Sequence, residues 1–306
     1  MRARGRPHPS SPRSATALQM TELFRTSGAG NDFLALVEPA APPAPETIRS
    51  WCARGVSLGA DGVFTIRRAG ARGDAGAAAA IDLVYWNADG GEAALCVNAT
   101  RCAAQLAFHR GWAERALTVN TGAGPFAARQ VSTSEIALEM APPTDEPRAV
   151  SFTDQLDGWA MTVGVPHAVL AWQNDLATCA VRDLGPAIRR HEHFGDAGAN
   201  ANFVRFPSQH ELEIRTFERG VEAETLACGS GVLAAVAVGV WTGQLELPVR
   251  ARTKGGFVLA VDGEIAADGR HIANWTMAGD ARILARVEAF AAAEQPLPAP
   301  LWDAAP

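Results

Sequence analysis

Apolar and polar positions fall into short runs along most of the chain. Ile81–Trp86 (IDLVYW), Leu117–Asn120 (LTVN), Ile136–Met140 (IALEM) and His210–Phe217 (HELEIRTF) are β-rich or alternate with a period of two, and each predicts a strand. Two segments behave differently. After Cys228 the chain passes through Gly229-Ser230-Gly231 into Val232–Trp241 (VLAAVAVGVW), which is apolar nearly all round and so predicts a buried helix. The segment after Cys96 is similar, with Arg101 and Gln105 as polar exceptions. Gly111 and Gly243 stand where these two helices stop. No apolar run approaches the roughly 20 residues that cross a bilayer, so no membrane-spanning helix is expected.

The pattern occurs twice. Tyr85–Gly111 (YWNADGGEAALCVNATRCAAQLAFHRG) and Thr216–Gly243 (TFERGVEAETLACGSGVLAAVAVGVWTG) each read as a strand, a polar turn with an acid, a cysteine, an apolar helix and a glycine stop. Upstream, Ser27–Leu36 (SGAGNDFLAL) matches Val163–Leu170 (VGVPHAVL). Downstream, VNTGAGPFAA matches RTKGGFVLAV, each a strand broken by glycines. Matches in the same order on both sides predict a duplicated unit. The Pro-rich stretch Ala141–Pro147 (APPTDEP) is the expected linker. The reading is an α+β chain of two pseudo-symmetric domains, residues 20–145 and 146–290, each a curled sheet around one buried helix. Residues 1–19 are read as a disordered extension, with Met20 an alternative start, and 291–306 as a flexible tail.

Composition narrows the function classes. The chain has 306 residues, of which 48% are hydrophobic and 20% charged, enough for a sizeable core. Its net charge of -6 conceals four arginines and no acid in residues 1–19, which leaves the body at -10. An acidic body argues against binding nucleic acid, whose affinity comes largely from Lys and Arg. The five cysteines, an odd number without CxxC spacing, argue for free thiols rather than a disulfide framework or a zinc site. The N-terminus lacks the apolar core of a secretory signal. His191-Glu192-His193 lacks the spacing that puts two ligands on one helix face, so no metal is expected.

Cys96 and Cys228 stand at matching places where a polar turn enters a helix. Unpaired amides and the helix dipole there favour a thiolate and can also hold a carboxylate. If the two domains face each other, one thiolate removes a proton from a carbon acid and the opposite thiol returns one to the other face. Converging amides stabilise the carbanion's charge on the carboxylate. This scheme uses no metal and no cofactor. A Cys/His hydrolase needs one nucleophile and leaves the second cysteine unexplained. A non-catalytic binding protein would bind without exchanging hydrogen.

Gly28–Phe33 (GAGNDF), Leu58–Gly62 (LGADG), Asn87–Cys96 (NADGGEAALC), Gly164–His167 (GVPH), Gly198–Val204 (GANANFV), Glu218–Gly220 (ERG) and Glu224–Gly231 (ETLACGSG) together resemble the diaminopimelate epimerase family, in that family's order. The resemblance covers roughly residues 20 to 290. It implies two similar domains, a homodimer and a cytoplasmic enzyme of lysine and peptidoglycan biosynthesis. The implied reaction is the cofactor-independent interconversion of LL- and meso-diaminopimelate. By position, Cys96 and Cys228 are then the acid/base pair, and His167 and Glu218 help set their protonation. Asn31, Asn87, Asn200 and Arg219 resemble the groups that bind the far amino-carboxylate end. Asn98, Gly229 and Ser230 resemble amide donors to the reacting carboxylate. Val97 supplies another N–H, but stands where the family has glycine (CVNA for CGNG). Val165 replaces an asparagine (GVPH for GNPH), Ser57 a glycine, and the loop ERGVEAET is one residue longer, adding Glu222. These departures keep a second expectation open, a two-cysteine racemase of another amino acid.

Overall fold

A computed structural model describes residues 20–69, 79–153 and 156–296. The proposed extension 1–19 and most of the tail, 297–306, lie outside the described residues. Among the described residues there are four α-helices: α1 (Pro45–Cys52), α2 (Val97–His109), α3 (Val181–Arg189) and α4 (Gly229–Trp241). All the predicted strands form, and so do both buried helices.

The duplication is explicit in the strand pairing. Strands 31–37 and 62–68 run parallel and are joined through α1; strands 165–171 and 200–208 run parallel and are joined through α3. Strands 80–87 and 116–121 are parallel across α2, as 211–218 and 249–253 are across α4. Antiparallel neighbours complete each half: 116–121, 124–132 and 135–139 in one, and 249–253, 258–265 and 272–280 in the other. The architecture is therefore α+β, two repeats of a curled mixed sheet around one helix.

The central helices are buried because their sequences leave them no polar face. From Asn98 to Phe108 every residue of α2 is buried, packed among Phe33, Phe64, Ile81, Leu117 and Leu138. Helix α4 is buried from Gly231 to Val240 among Met161, Val204, Leu212, Leu259 and Trp275. Each stops two residues before a left-handed glycine, Gly111 and Gly243, both at φ +69°. By contrast α1 and α3 lie outside, over smaller clusters around Trp51 and Phe203.

The halves are stitched together at their edges. Strand 135–139 pairs antiparallel with 272–280. The last strand, Arg282–Phe290, pairs with the first, Met20–Gly28, from Met20 opposite Phe290 to Ser27 opposite Arg282. Val97 and Met140 pack against both large cores. Residues 141–147 carry no regular element, but Asp145 accepts the Thr162 backbone N–H at 2.6 Å and its hydroxyl at 3.1 Å.

Candidate active site

Cys96 and Cys228 are the N-cap residues of α2 and α4. Their backbones match closely, with φ/ψ of -137°/106° and -125°/109°. Each carbonyl takes the first helical hydrogen bond, from Thr100 N at 2.8 Å and Val232 N at 3.0 Å. Neither side chain makes a full capping hydrogen bond to its own helix, though each thiol lies beside that helix's first amides. The two helix heads meet: a Cβ placed on Gly229 would fall 3.6 Å from Val97 Cβ. Both sulfurs lie in the field of Glu218, and Cys228 also lies in that of Cys96.

The thiolate expected from the helix ends is opposed by burial. Burial raises the Cys96 thiol to about 11 against the lowering effect of the Ala99 and Asn98 amides. Burial also raises Cys228 to about 12, and the Glu218 charge adds to it, while the Ser230 hydroxyl and Gly231 amide work the other way. Desolvation of a thiolate outweighs two or three amide dipoles.

Glu218 ends strand 211–218 and accepts the Thr225 hydroxyl at 2.8 Å; burial raises its own pKa. Ser230 Oγ stands 3.6 Å from Cys228 Sγ, and Asn200 Nδ2 stands 4.0 Å from it. Asn200 Oδ1 in turn accepts the Arg219 backbone N–H at 2.8 Å. On the other side, Asn98 donates to Asn31 Oδ1 at 2.6 Å. Asn87 is exposed at the end of its strand and accepts from Tyr85 Oη at 3.1 Å; that hydroxyl also hydrogen-bonds the Cys96 thiol. Val165 is half-buried beside Gly164.

His167 lies within a strand and is wholly buried. Its Nδ1 is 3.2 Å from Asn202 Nδ2, and burial lowers its pKa to about 3, so it is neutral at physiological pH. Asn202 also donates to Ala168 O at 2.9 Å and accepts the Thr216 hydroxyl at 2.9 Å. This fully buried asparagine links His167 to the Cys228 turn: a Cβ on Gly231 would sit 2.3 Å from Asn202 Oδ1 and 3.3 Å from Cys228 Sγ. Position 231 is therefore glycine by necessity.

A family model for diaminopimelate epimerase matches residues 24–144 and 159–283. The chain belongs to the diaminopimelate epimerase family. It is accordingly an isomerase of the amino-acid epimerase class. The diaminopimelate epimerase of Gemmatimonas aurantiaca is 34% identical over 286 residues, 87% of this chain and 98% of that protein. That of Aquifex aeolicus is 32% identical, over 79% of this chain and 89% of its own. Among solved structures, a phenazine-biosynthesis PhzF-family protein of Bacillus anthracis superposes with a TM-score of 0.64 at 14% identity, covering 89% of this chain and 99% of that one. A probable proline racemase of Agrobacterium radiobacter K84 gives 0.59 at 16% identity, covering 88% and 92%. These two share the fold.

Against the epimerase pattern, Cys52, Cys102 and Cys179 are buried free thiols, each raised by burial. His191 and His193 pack on Phe152 and Phe194, with ring centroids 5.2 and 5.1 Å away. Among the described residues no cluster of His, Cys, Asp and Glu is arranged to hold a metal, and no helix is long and apolar enough to cross a membrane. A groove of about 660 Å³ lined by Trp159, Trp172, Phe206 and Thr242 shares no residue with the cysteine site. Sequence reasoning missed Asn202 and Tyr85. The Asn-x-Asn spacing of residues 200 and 202 puts both on one face of an otherwise apolar strand, which is a readable signal. Tyr85 is the chain's single tyrosine.

Proposed function

We propose that this protein interconverts LL- and meso-diaminopimelate by a two-cysteine acid/base mechanism. One sulfur takes the α-hydrogen as a proton; the other sulfur, as a thiol, delivers its proton to the opposite face. The configuration at one carbon inverts, and the two thiols exchange protonation states. The observation that supports this most directly is the meeting of two equivalent helix heads, each capped by a cysteine, under the field of one glutamate.

The amides at Val97, Asn98, Gly229 and Ser230 point from two helix N-termini, where a carboxylate and the charge of a carbanion are both favoured. Arg219, Asn31, Asn87 and Asn200 provide the donors and acceptors for the distal amino-carboxylate. Glu218 and the neutral His167 set the electrostatic environment in which a proton passes. The substrate's α-ammonium group brings the positive charge that the raised thiols lack, so ionisation of one sulfur accompanies binding. Nothing in this route calls on a metal or cofactor. The same reading puts the enzyme in the cytoplasm, on the path to lysine and peptidoglycan, and divides the chain at 145/146.

Incubation with a panel of amino acids in deuterated water tests the assignment. Uptake of α-deuterium by LL-diaminopimelate, and loss of that uptake in both Cys96→Ser and Cys228→Ser, is the expected result. Uptake confined to a monocarboxylic amino acid would instead establish the second reading, a racemase of another substrate, for which Val165 and Val97 speak.

A further inference from the structure

Arg101 is a charged residue inside the apolar helix α2, and it is completely buried. Its Nε donates to the Asp280 carbonyl at 3.4 Å, Nη2 donates to Asn98 Oδ1, and Nη1 has no hydrogen-bond partner among the described residues. Nor does it form an ion pair with any carboxylate among them. A buried guanidinium without a carboxylate is costly, so its retention in the core calls for a use.

The hydrogen bonds run onward in one direction. Asn98, which accepts from Arg101, donates through Nδ2 to Asn31 Oδ1 at 2.6 Å. Asn31 donates through Nδ2 to Asp61 Oδ2 at 3.1 Å. Asp61 is held by the Asp32 backbone N–H at 3.2 Å and by Arg54 Nη2 at 2.7 Å. The chain thus begins at a group that only donates and ends at one that only accepts. A primary amide is nearly symmetric in shape, and an isolated asparagine can turn over to exchange its oxygen and nitrogen. Neither can do so here. A reversed Asn98 would aim N–H groups at Arg101, and a reversed Asn31 would aim its oxygen at Asp61.

We propose that Arg101 and Asp61 are positioning residues that lock the amide orientation of Asn98 and Asn31, and thereby fix which donors and acceptors the two asparagines offer to the substrate. The inference rests on the reading above, in which Asn31 and Asn98 lie against the ligand. It makes the two ends of the chain act as one device: freeing either end releases both amides.

A double-mutant cycle reads this directly. The substrate is whichever amino acid of the panel takes up α-deuterium, so failure of the diaminopimelate assignment leaves the cycle readable. Asp61→Asn and Arg101→Gln each raise KM about tenfold with kcat changed less than threefold, and the double variant matches the worse single. A double variant at the product of the two effects, near a hundredfold, overturns the proposal. Arg101→Lys keeps a donor-only end and holds KM within threefold of the parent; a rise equal to that of Arg101→Gln also overturns it. If Arg101→Gln fails to fold, Asp61→Asn is set beside Asn98→Asp, which still accepts from Arg101 but cannot donate to Asn31. Both are expected to raise KM, and an unchanged KM in either defeats the proposal.

Discussion

At pH 7 a thiol with a pKa near 11 is ionised in roughly one molecule in ten thousand. That figure describes Cys96 at rest, and Cys228 is held higher still. Alkylation of either by iodoacetamide is therefore expected to accelerate about tenfold per pH unit from 7 to 10 without levelling off. Glu218→Gln removes a negative charge that raises both sulfurs, so alkylation at pH 8 should quicken at both cysteines, read by peptide mass spectrometry. An unchanged or slower rate would show that Glu218 does not share its field with the pair. His167 makes the opposite kind of statement. Its folded pKa of about 3 lies below the unfolded 6.5, so the native state binds fewer protons between those values. Stability then falls as pH drops from 6.5 towards 3, by at most about 1.4 kcal/mol per unit from this group, and is flat above 6.5. His167→Gln should flatten the loss between pH 6 and 4 in urea titrations. Both cysteines were legible in the sequence because they recur at matching places. Their acidity was not, because helix-end dipoles can be read from a motif while desolvation depends on the packing of distant strands.

The glycines at the head of α4 separate folding from chemistry. Gly231 faces Asn202, which Thr216 and two backbone carbonyls hold in place, and a Cβ at 2.3 Å has nowhere to go. Gly231→Ala is expected to cost about 1–3 kcal/mol in denaturant unfolding and most of the activity. Gly229 meets the far end of the Met277 side chain at 3.1 Å and Val97 at an ordinary 3.6 Å. Gly229→Ala should leave the melting temperature nearly unchanged, yet lower kcat/KM by narrowing the gap between helix heads. Equal melting losses in the two variants would refute this division. The buried helices were plain from their unbroken apolar runs. Helix α3 was hidden, because Gly185 and Pro186 sit inside it. Gly185 is there for packing, since a Cβ would lie 2.5 Å from Phe217. A breaker required by a neighbouring strand is indistinguishable, in one dimension, from a loop.

At the scale of the molecule, the paired strands 20–28 and 282–290 expose three large apolar side chains among the charged residues Glu22, Arg282, Arg286 and Glu288. Met20 and Phe290 face each other in register at 49% and 52% exposure, and Leu284 is 51% exposed. The family resemblance implies a homodimer, and these three side chains are where its interface can be tested. Phe290→Glu should shift the mass in light scattering from two chains to one, and an unchanged mass would place the interface elsewhere or exclude it. The repeat itself was legible as matched motifs. The stitching of the halves was not, since strand partners more than 130 residues apart leave no local trace.

That stitching governs how the polypeptide emerges from the ribosome. The first repeat lacks its outermost partner until Arg282–Phe290 has been made, almost at the end of synthesis. Closing so long a loop is slow, and meanwhile the nascent edge at Met20–Gly28 stands open to strangers. A message truncated before codon 282 would release a product whose first-made half is the one left unfinished.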